Sequence, residues 1–326
     1  MIKADTPQCG KNLQACTRSY PGFHDIVASF ERVLLAQRQT VESLSLHETC
    51  AITCTEDEFL SGTSLATKLH PAVFLKPFKQ SAAKVWPELA KAFPALSESL
   101  EWLERKLQND AWCTACLEAL VHGNDQSFET ALRIVQVEPQ VLLACLRIAY
   151  VPCITAIRPV LAEHPSVKLW RKRFCPICGS DPDMGTLELH ATGADFVVSK
   201  SGQAWLHCPQ CGQHWRFSRA VCPACGTQEN SSLTRYFLPE DPRGFIYACD
   251  ACKHYLPYKD LTENTDDTEC FDRDAASLEF MHLDAMAQAN GYEPLSPALW
   301  ANLGLMGDGE LASRDAATHN FCKQEG

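Results

Sequence analysis

Between Phe23 and Leu46 the apolar residues fall at Phe23, Ile26, Val27, Phe30, Val33, Leu34, Val41 and Leu44, one stripe of a helix of period 3.6 that needs a partner surface. The polar, acidic stretch His47 to Gly62, around Glu56-Asp57-Glu58, predicts a loop, and Lys68 to Pro77, with two prolines, an irregular connector. Helical spacing resumes near Ser81. Trp86, Leu89, Ala90 and Phe93 share a face before Pro94 interrupts, and Leu96, Leu100, Leu103 and Leu107 form a row beyond it. Ala111 to His122 and Phe128 to Val137 predict two short helices, and Pro139 starts a longer one through Tyr150. The apolar run from Val141 to Ile157 carries Arg147 in its middle and Pro152 near its end. Those residues argue against a bilayer span and for the central helix of a bundle.

Beyond Pro165 the pattern changes. Short β-branched and aromatic runs stand between turn formers: Asp195 to Ser199, Ala204 to His207, His214 to Phe217, Thr234 to Leu238 and Gly244 to Ala248. The acidic run Glu263 to Asp274 predicts a solvated segment. Asp274 to Asn290, with Leu278, Met281 and Ala285, predicts a last helix stopped by Gly291. The fold class expected is α+β: an all-helical N-terminal domain (1–164), two tandem rubredoxin-like or zinc-ribbon modules (165–215 and 216–260), and an acidic segment with a C-terminal helix and tail (261–326).

Charge follows the same division. The net charge of −11 is spread as 15 Lys/Arg against 18 Asp/Glu in 1–164, 11 against 8 in 165–259, and 3 against 14 in 260–326. The acid sits in the tail. The mild surplus of base in the middle comes close to neutral once two four-thiolate sites are counted, so no nucleic-acid footprint is present. Eighteen cysteines and an opening Met1 to Gly10 without an apolar run predict a cytoplasmic chain, not inserted in a membrane, whose thiols are reduced or metal-bound.

The chemistry concentrates in the 85 residues from Phe174 to Tyr258, which hold four Cys-x-x-Cys pairs: Cys175/Cys178, Cys208/Cys211, Cys222/Cys225 and Cys249/Cys252. Three are followed by glycine, Gly179, Gly212 and Gly226, and have proline after the first cysteine. A turn that aims two sulfurs at one ion needs φ > 0 after the second Cys, which glycine adopts freely, and proline pre-sets its start. Loops of 29 and 23 residues lie within the first and second halves of the set, and only 10 residues separate the halves. Sequential pairing therefore predicts two closed sites, Cys175, Cys178, Cys208 and Cys211, then Cys222, Cys225, Cys249 and Cys252; an interleaved cross-brace is the rival. Zinc and rubredoxin-type iron both suit four sulfurs, and spacing does not separate them. His207, His214 and His254 flank the knuckles as replacement ligands. Cys113 and Cys116 share a helical face and could join Cys145 or Cys153 in a third site or redox pair; small buried thiols of a helical core are the commoner reading. No phosphate loop, nucleophile elbow or His-Glu-x-x-His helix occurs, so no enzyme activity is expected.

These residues resemble the formate dehydrogenase accessory protein FdhE family. The likeness rests on Phe174 to Ser180, Trp205 to Trp215, Val221 to Cys225, Cys249 to Cys252 with Tyr255-Leu256, and Asp274-x-x-x-Leu278 with Asp284 and Gly291-Tyr292. It covers 174–300 well and the helical half in outline. The resemblance implies two rubredoxin-like modules, each holding iron through four cysteines, and an assembly chaperone whose partner is the formate dehydrogenase catalytic subunit. The family's Cys-Glu-x-Glu-Trp style is absent: Gly212-Gln213-His214 precedes Trp215. A structural zinc-ribbon adaptor for another partner, or a small electron-transfer or thiol-redox protein, are the other readings.

Overall fold

The computed structural model describes residues 24–44, 52–189, 202–263, 271–296 and 322–325. The predicted strand at Asp195 to Ser199 and most of the acidic run lie outside them. The helical half contains α1 (His24–Ser43), α2 (Glu56–Ser61), α3 (Leu75–Ala92), α4 (Ser97–Lys106), α5 (Asp110–His122), α6 (Asp125–Arg133) and α7 (Pro139–Ala162). α1 and α3 pack on each other and on α7, and α7 buries Leu142, Leu146, Ile148, Ile154 and Ile157.

α7 runs through Pro152 and Pro159 without stopping. A proline lacks the N–H that would bond the carbonyl four residues back, here that of Ile148. The buried Gln37 side chain of α1 donates to the Ile148 carbonyl at 2.9 Å, and Ser81 of α3 donates to the Ala149 carbonyl at 2.6 Å. Side chains from two neighbouring helices thus occupy acceptors at the break. α7 is the one described helix long and apolar enough to cross a membrane, and 67% of that window is buried within the protein.

Two expectations for the connecting segments are corrected. Glu56–Ser61 is helical because Thr55 and Glu58 form a reciprocal capping box, and Phe59 is fully buried with its ring 4.6 Å from that of Trp170. The expected connector at Lys68 to Pro77 holds a 3-10 turn, Pro71–Phe74, and the start of α3. Proline is tolerated there because the first turn of a helix leaves its N–H groups unbonded anyway.

The described residues of the second half form one eight-stranded sheet, seven strands in the order β3-β2-β1-β6-β5-β4-β8 and β7 set against β6 off that path. Its strands are β1 (Met184–Glu188), β2 (Gln203–His207), β3 (His214–Phe217), β4 (Leu233–Leu238), β5 (Asp241–Cys249), β6 (His254–Leu261), β7 (Glu293–Pro294) and β8 (Cys322–Glu325). β1, β2 and β3 form one antiparallel set; β4, β5 and β6 form another. The sets are joined by parallel pairing of β1 with β6, from Gly185 opposite Tyr258 to Glu188 opposite Leu261. The glycine is required: a Cβ on Gly185 would lie 2.2 Å from the Tyr258 ring. Pro257 interrupts β6 in the gap between β7, which pairs at Tyr255, and β1, which begins at Tyr258. A strand interior tolerates proline poorly, and no described residue pairs with Pro257 on that edge.

After the sheet, α8 (Arg273–Ala276), a 3-10 turn (Ser277–Phe280) and α9 (Met281–Ala289) form the expected last helix, ended by Gly291 at φ +80°. It covers the second ribbon: Phe280, Leu283, Met286 and Ala287 pack with Ile246, Ala248 and Tyr255. Glu279, 15% exposed and 3.9 Å from Lys259, is pushed up to about 7 by burial despite that neighbour. An unfolded glutamate titrates near 4.3. The fold therefore binds the proton more tightly than the unfolded chain, and its stability falls as pH rises from about 4 to 7. Glu279→Gln is expected to flatten that slope, adding on the order of 2–3 kcal/mol relative to wild type at pH 8 and little at pH 5 in urea unfolding.

Candidate metal centres

Each knuckle is a tight turn closed by its own backbone. The amides of Gly179, Gly212, Gly226 and Lys253 donate to the carbonyls of Cys175, Cys208, Cys222 and Cys249 at 2.8–3.0 Å. All four residues have φ > 0, at +80°, +67°, +78° and +59°. The fourth knuckle thus adopts the same turn with a lysine in the left-handed region, at a local cost of about 1–2 kcal/mol. Lys253 is held by Asp250, 2.7 Å from its ammonium. Lys253→Val adds β-branching at that φ and is expected to lower stability by about 1–2 kcal/mol. Lys253→Gly is expected to be neutral or stabilising in the same denaturation assay.

The turns bring the sulfurs together sequentially. Cys175, Cys178, Cys208 and Cys211 form one group, and Cys222, Cys225, Cys249 and Cys252 the other, each with all sulfurs within 4.8 Å of one another. Cys175 lies 3.5 Å from Cys211, Cys178 3.4 Å from Cys208, Cys222 3.7 Å from Cys252 and Cys225 3.8 Å from Cys249. A tetrahedron with metal–sulfur bonds of about 2.3 Å has edges of about 3.8 Å, so the donor sets fit a four-coordinate ion. The electrostatics ask for one. Burial pushes the Cys208 and Cys211 thiols well up, while hydrogen bonding from Cys175 holds Cys178 well down. Four clustered sulfurs, three of them on buried residues, cannot all ionise without a cation between them.

The two centres sit in different surroundings. The first is built into the helical half. Leu65 and Ala66 donate their amides to the carbonyls of Pro176 and Ile177 at 3.0 and 2.7 Å, and Arg158 of α7 donates to the carbonyls of Cys211 and Gly212 at 3.1 and 2.6 Å. A Cβ on Gly212 would meet the Arg158 guanidinium at 2.7 Å. Cys175, Cys208 and Cys211 belong to the same apolar cluster as Trp112, Leu146 and Ile157. The buried Tyr150 hydroxyl of α7 has no hydrogen-bond partner among the described residues and lies in the field of Cys178 and Cys211. The second centre has its own small cluster with Leu233, and Cys225 is exposed.

None of the flanking histidines joins a described ligand group. His207, 2% exposed, has Asp183 at 2.9 Å from Nδ1 and Asp274 at 3.1 Å from Nε2. Burial opposes its charge, but the two carboxylates overcome that and raise it to about 9. His207 is therefore an imidazolium bridge between β2, the segment before β1, and α8. His254 places Nδ1 2.9 Å from the Cys252 carbonyl, and His214 is exposed on β3. Cys113, Cys116, Cys145 and Cys153 are fully buried, and burial raises each thiol. They do not group with any described ligand set. Of the residues shaping the first centre, Asp274 stood in the sequence pattern, but Arg158 and Tyr150 carried no signal beyond their places in an apolar helix.

No family model matches the chain. Curated relatives do: a protein FdhE homolog of Pectobacterium carotovorum subsp. carotovorum is 30% identical over 137 residues, 41% of this chain and 37% of its own length. One from Shewanella oneidensis is 28% identical over 127 residues, 38% of this chain and 37% of its own. The chain thus matches well under half the length of these relatives. The crystal structure of the FdhE protein from Pseudomonas aeruginosa superposes with a TM-score of 0.57 at 20% identity, over 90% of this chain and 94% of that one, and shows a shared fold.

Proposed function

We propose that the chain is a member of the FdhE family, that it is a cytoplasmic accessory protein for the maturation of a formate dehydrogenase, and that it works by binding that enzyme's catalytic subunit. The observation that carries this reading is the pair of four-thiol centres on a fold shared with an FdhE protein. The eight cysteines are the ligands in this proposal, and iron in rubredoxin-like form is the metal. An ion held by four thiolates closes its ribbon and, as iron, can carry one electron. Neither centre leaves a position for a substrate, which supports a docking and assembly role over catalysis.

Metal and partner are tested separately. Anaerobically purified protein is expected to hold two iron ions per chain, to be red when oxidised and to bleach on reduction. Colourless protein with two zinc ions overturns the iron assignment and favours a structural zinc-ribbon adaptor. Tagged protein from formate-grown cells is expected to retain the formate dehydrogenase catalytic subunit, and recovery of the protein without it counts against the accessory role.

A further inference from the structure

Six basic side chains gather around one edge of the first ribbon. Lys168, Arg171, Lys172 and Arg173 lead into the first knuckle, Arg216 is on β3 and Arg219 follows it; all are exposed. None forms an ion pair among the described residues, although the chain as a whole is acidic. Elsewhere Arg32, Arg38, Arg133, Arg243 and Arg273 each face a carboxylate, while Arg105, Arg147, Arg158 and Arg235 form no ion pair among the described residues but are scattered over the fold.

Specific contacts place four of the six, Arg171, Lys172, Arg173 and Arg216; Lys168 and Arg219 flank them in sequence. The Trp215 indole donates to the Lys172 carbonyl at 2.9 Å, fixing β3 beside the 168–173 segment. Arg216 lies close enough to Arg171 to add to the effect of burial in lowering that guanidinium. Arg173 reaches the Ala224 carbonyl of the third knuckle at 3.1 Å. Leu169, 56% exposed, stands within the same strip.

The strand beneath them is an end strand. β3 pairs only with β2, and no described backbone group bonds its outer edge. An open strand edge recognises extended polypeptide through main-chain hydrogen bonds, and unpaired guanidinium groups select carboxylates. We propose that the outer edge of β3, with the basic side chains around it, docks an extended acidic segment of a partner polypeptide by strand addition. This rests on the reading that the chain handles another polypeptide, and it says where.

The test uses the full, metal-loaded chain and a fluorescein-labelled peptide of alternating Glu and Val. Anisotropy is expected to show binding that weakens about tenfold or more in Arg171→Glu/Arg216→Glu, and by a similar factor when prolines replace the central valines. Two metal ions per chain in the double variant establish that it is folded. Three results overturn the proposal: no binding by the wild type, equal binding of the proline peptide, which reduces the edge to general charge attraction, or unchanged binding by the double variant. Tighter binding of an oligodeoxythymidylate overturns it in favour of nucleic acid. If the wild type captures the catalytic subunit and the double variant captures it equally, the surface fails while the accessory role stands; failure of the wild type bears on the role alone.

Discussion

Replacing Cys175 by serine is expected to unfold the first ribbon and to weaken the helical half with it, whereas Cys225→Ser is expected to empty the second centre and leave the helices standing. The difference follows from where the sulfurs sit. Cys175 is fully buried in the cluster that contains Trp112, Leu146 and Ile157. The knuckle it starts receives the amides of Leu65 and Ala66. Without its ion the first centre also leaves buried thiols and the Arg158 contacts without a fixed target. A structural four-thiolate site contributes on the order of 10 kcal/mol to folding, comparable with the whole net stability of a domain. Cys175→Ser should therefore retain at most one ion per chain and lose the cooperative helical melt followed at 222 nm. Cys225→Ser should also retain one ion, but keep a melting temperature for the helices within a few degrees of wild type. An unchanged helical melt in Cys175→Ser would show that the first centre is not part of that core.

The second large effect is expected at His207. Its imidazolium is enclosed between Asp183 and Asp274, so truncation to leucine leaves the buried Asp183 without its cation. Breaking a buried pair from one side costs about 3–5 kcal/mol. Asp274 is 53% exposed, and water compensates much of its loss, so Asp274→Asn is expected to cost about 1 kcal/mol or less. Equilibrium unfolding at pH 7 separates the two. Equal losses from both variants would mean that the bridge acts through α8 rather than through the buried charge.

The cysteine grammar makes most of the centres legible from sequence alone, because knuckle geometry is local. Pro after the first Cys and Gly after the second describe three turns. The fourth has Asp250 in place of the proline and Lys253 in place of the glycine; Lys253 adopts the glycine conformation, held by Asp250. β2 and β3 show in the sequence because Trp205, Leu206, Trp215 and Phe217 stand in short strand-type runs. β1 and β6 do not, because Gly185 and Pro257 are the residues local rules exclude from strands. Their place is set by a ring 2.2 Å from a would-be Cβ and by a gap on a strand edge, neither of which exists until the chain is folded. The apolar run reads as a helix as far as Ile157, but how that helix passes Pro152 is hidden for the same reason: the group that satisfies Ile148 is Gln37, which is 111 positions away. The short α2 was within reach, since Thr55 and Glu58 spell a capping box.

The parallel pairing of β1 with β6 also fixes an order of events during synthesis. β1, β2 and β3 can close as a meander once Phe217 has left the ribosome, but the other edge of β1 stays open until Leu261 arrives. At ~5–20 residues per second that interval is roughly 2–9 s. During it Met184–Glu188, a strand fully buried in the finished fold, offers its unpaired backbone to solvent. Slow decoding between residues 218 and 261 is therefore expected to lower soluble yield more than the same delay placed within the helices.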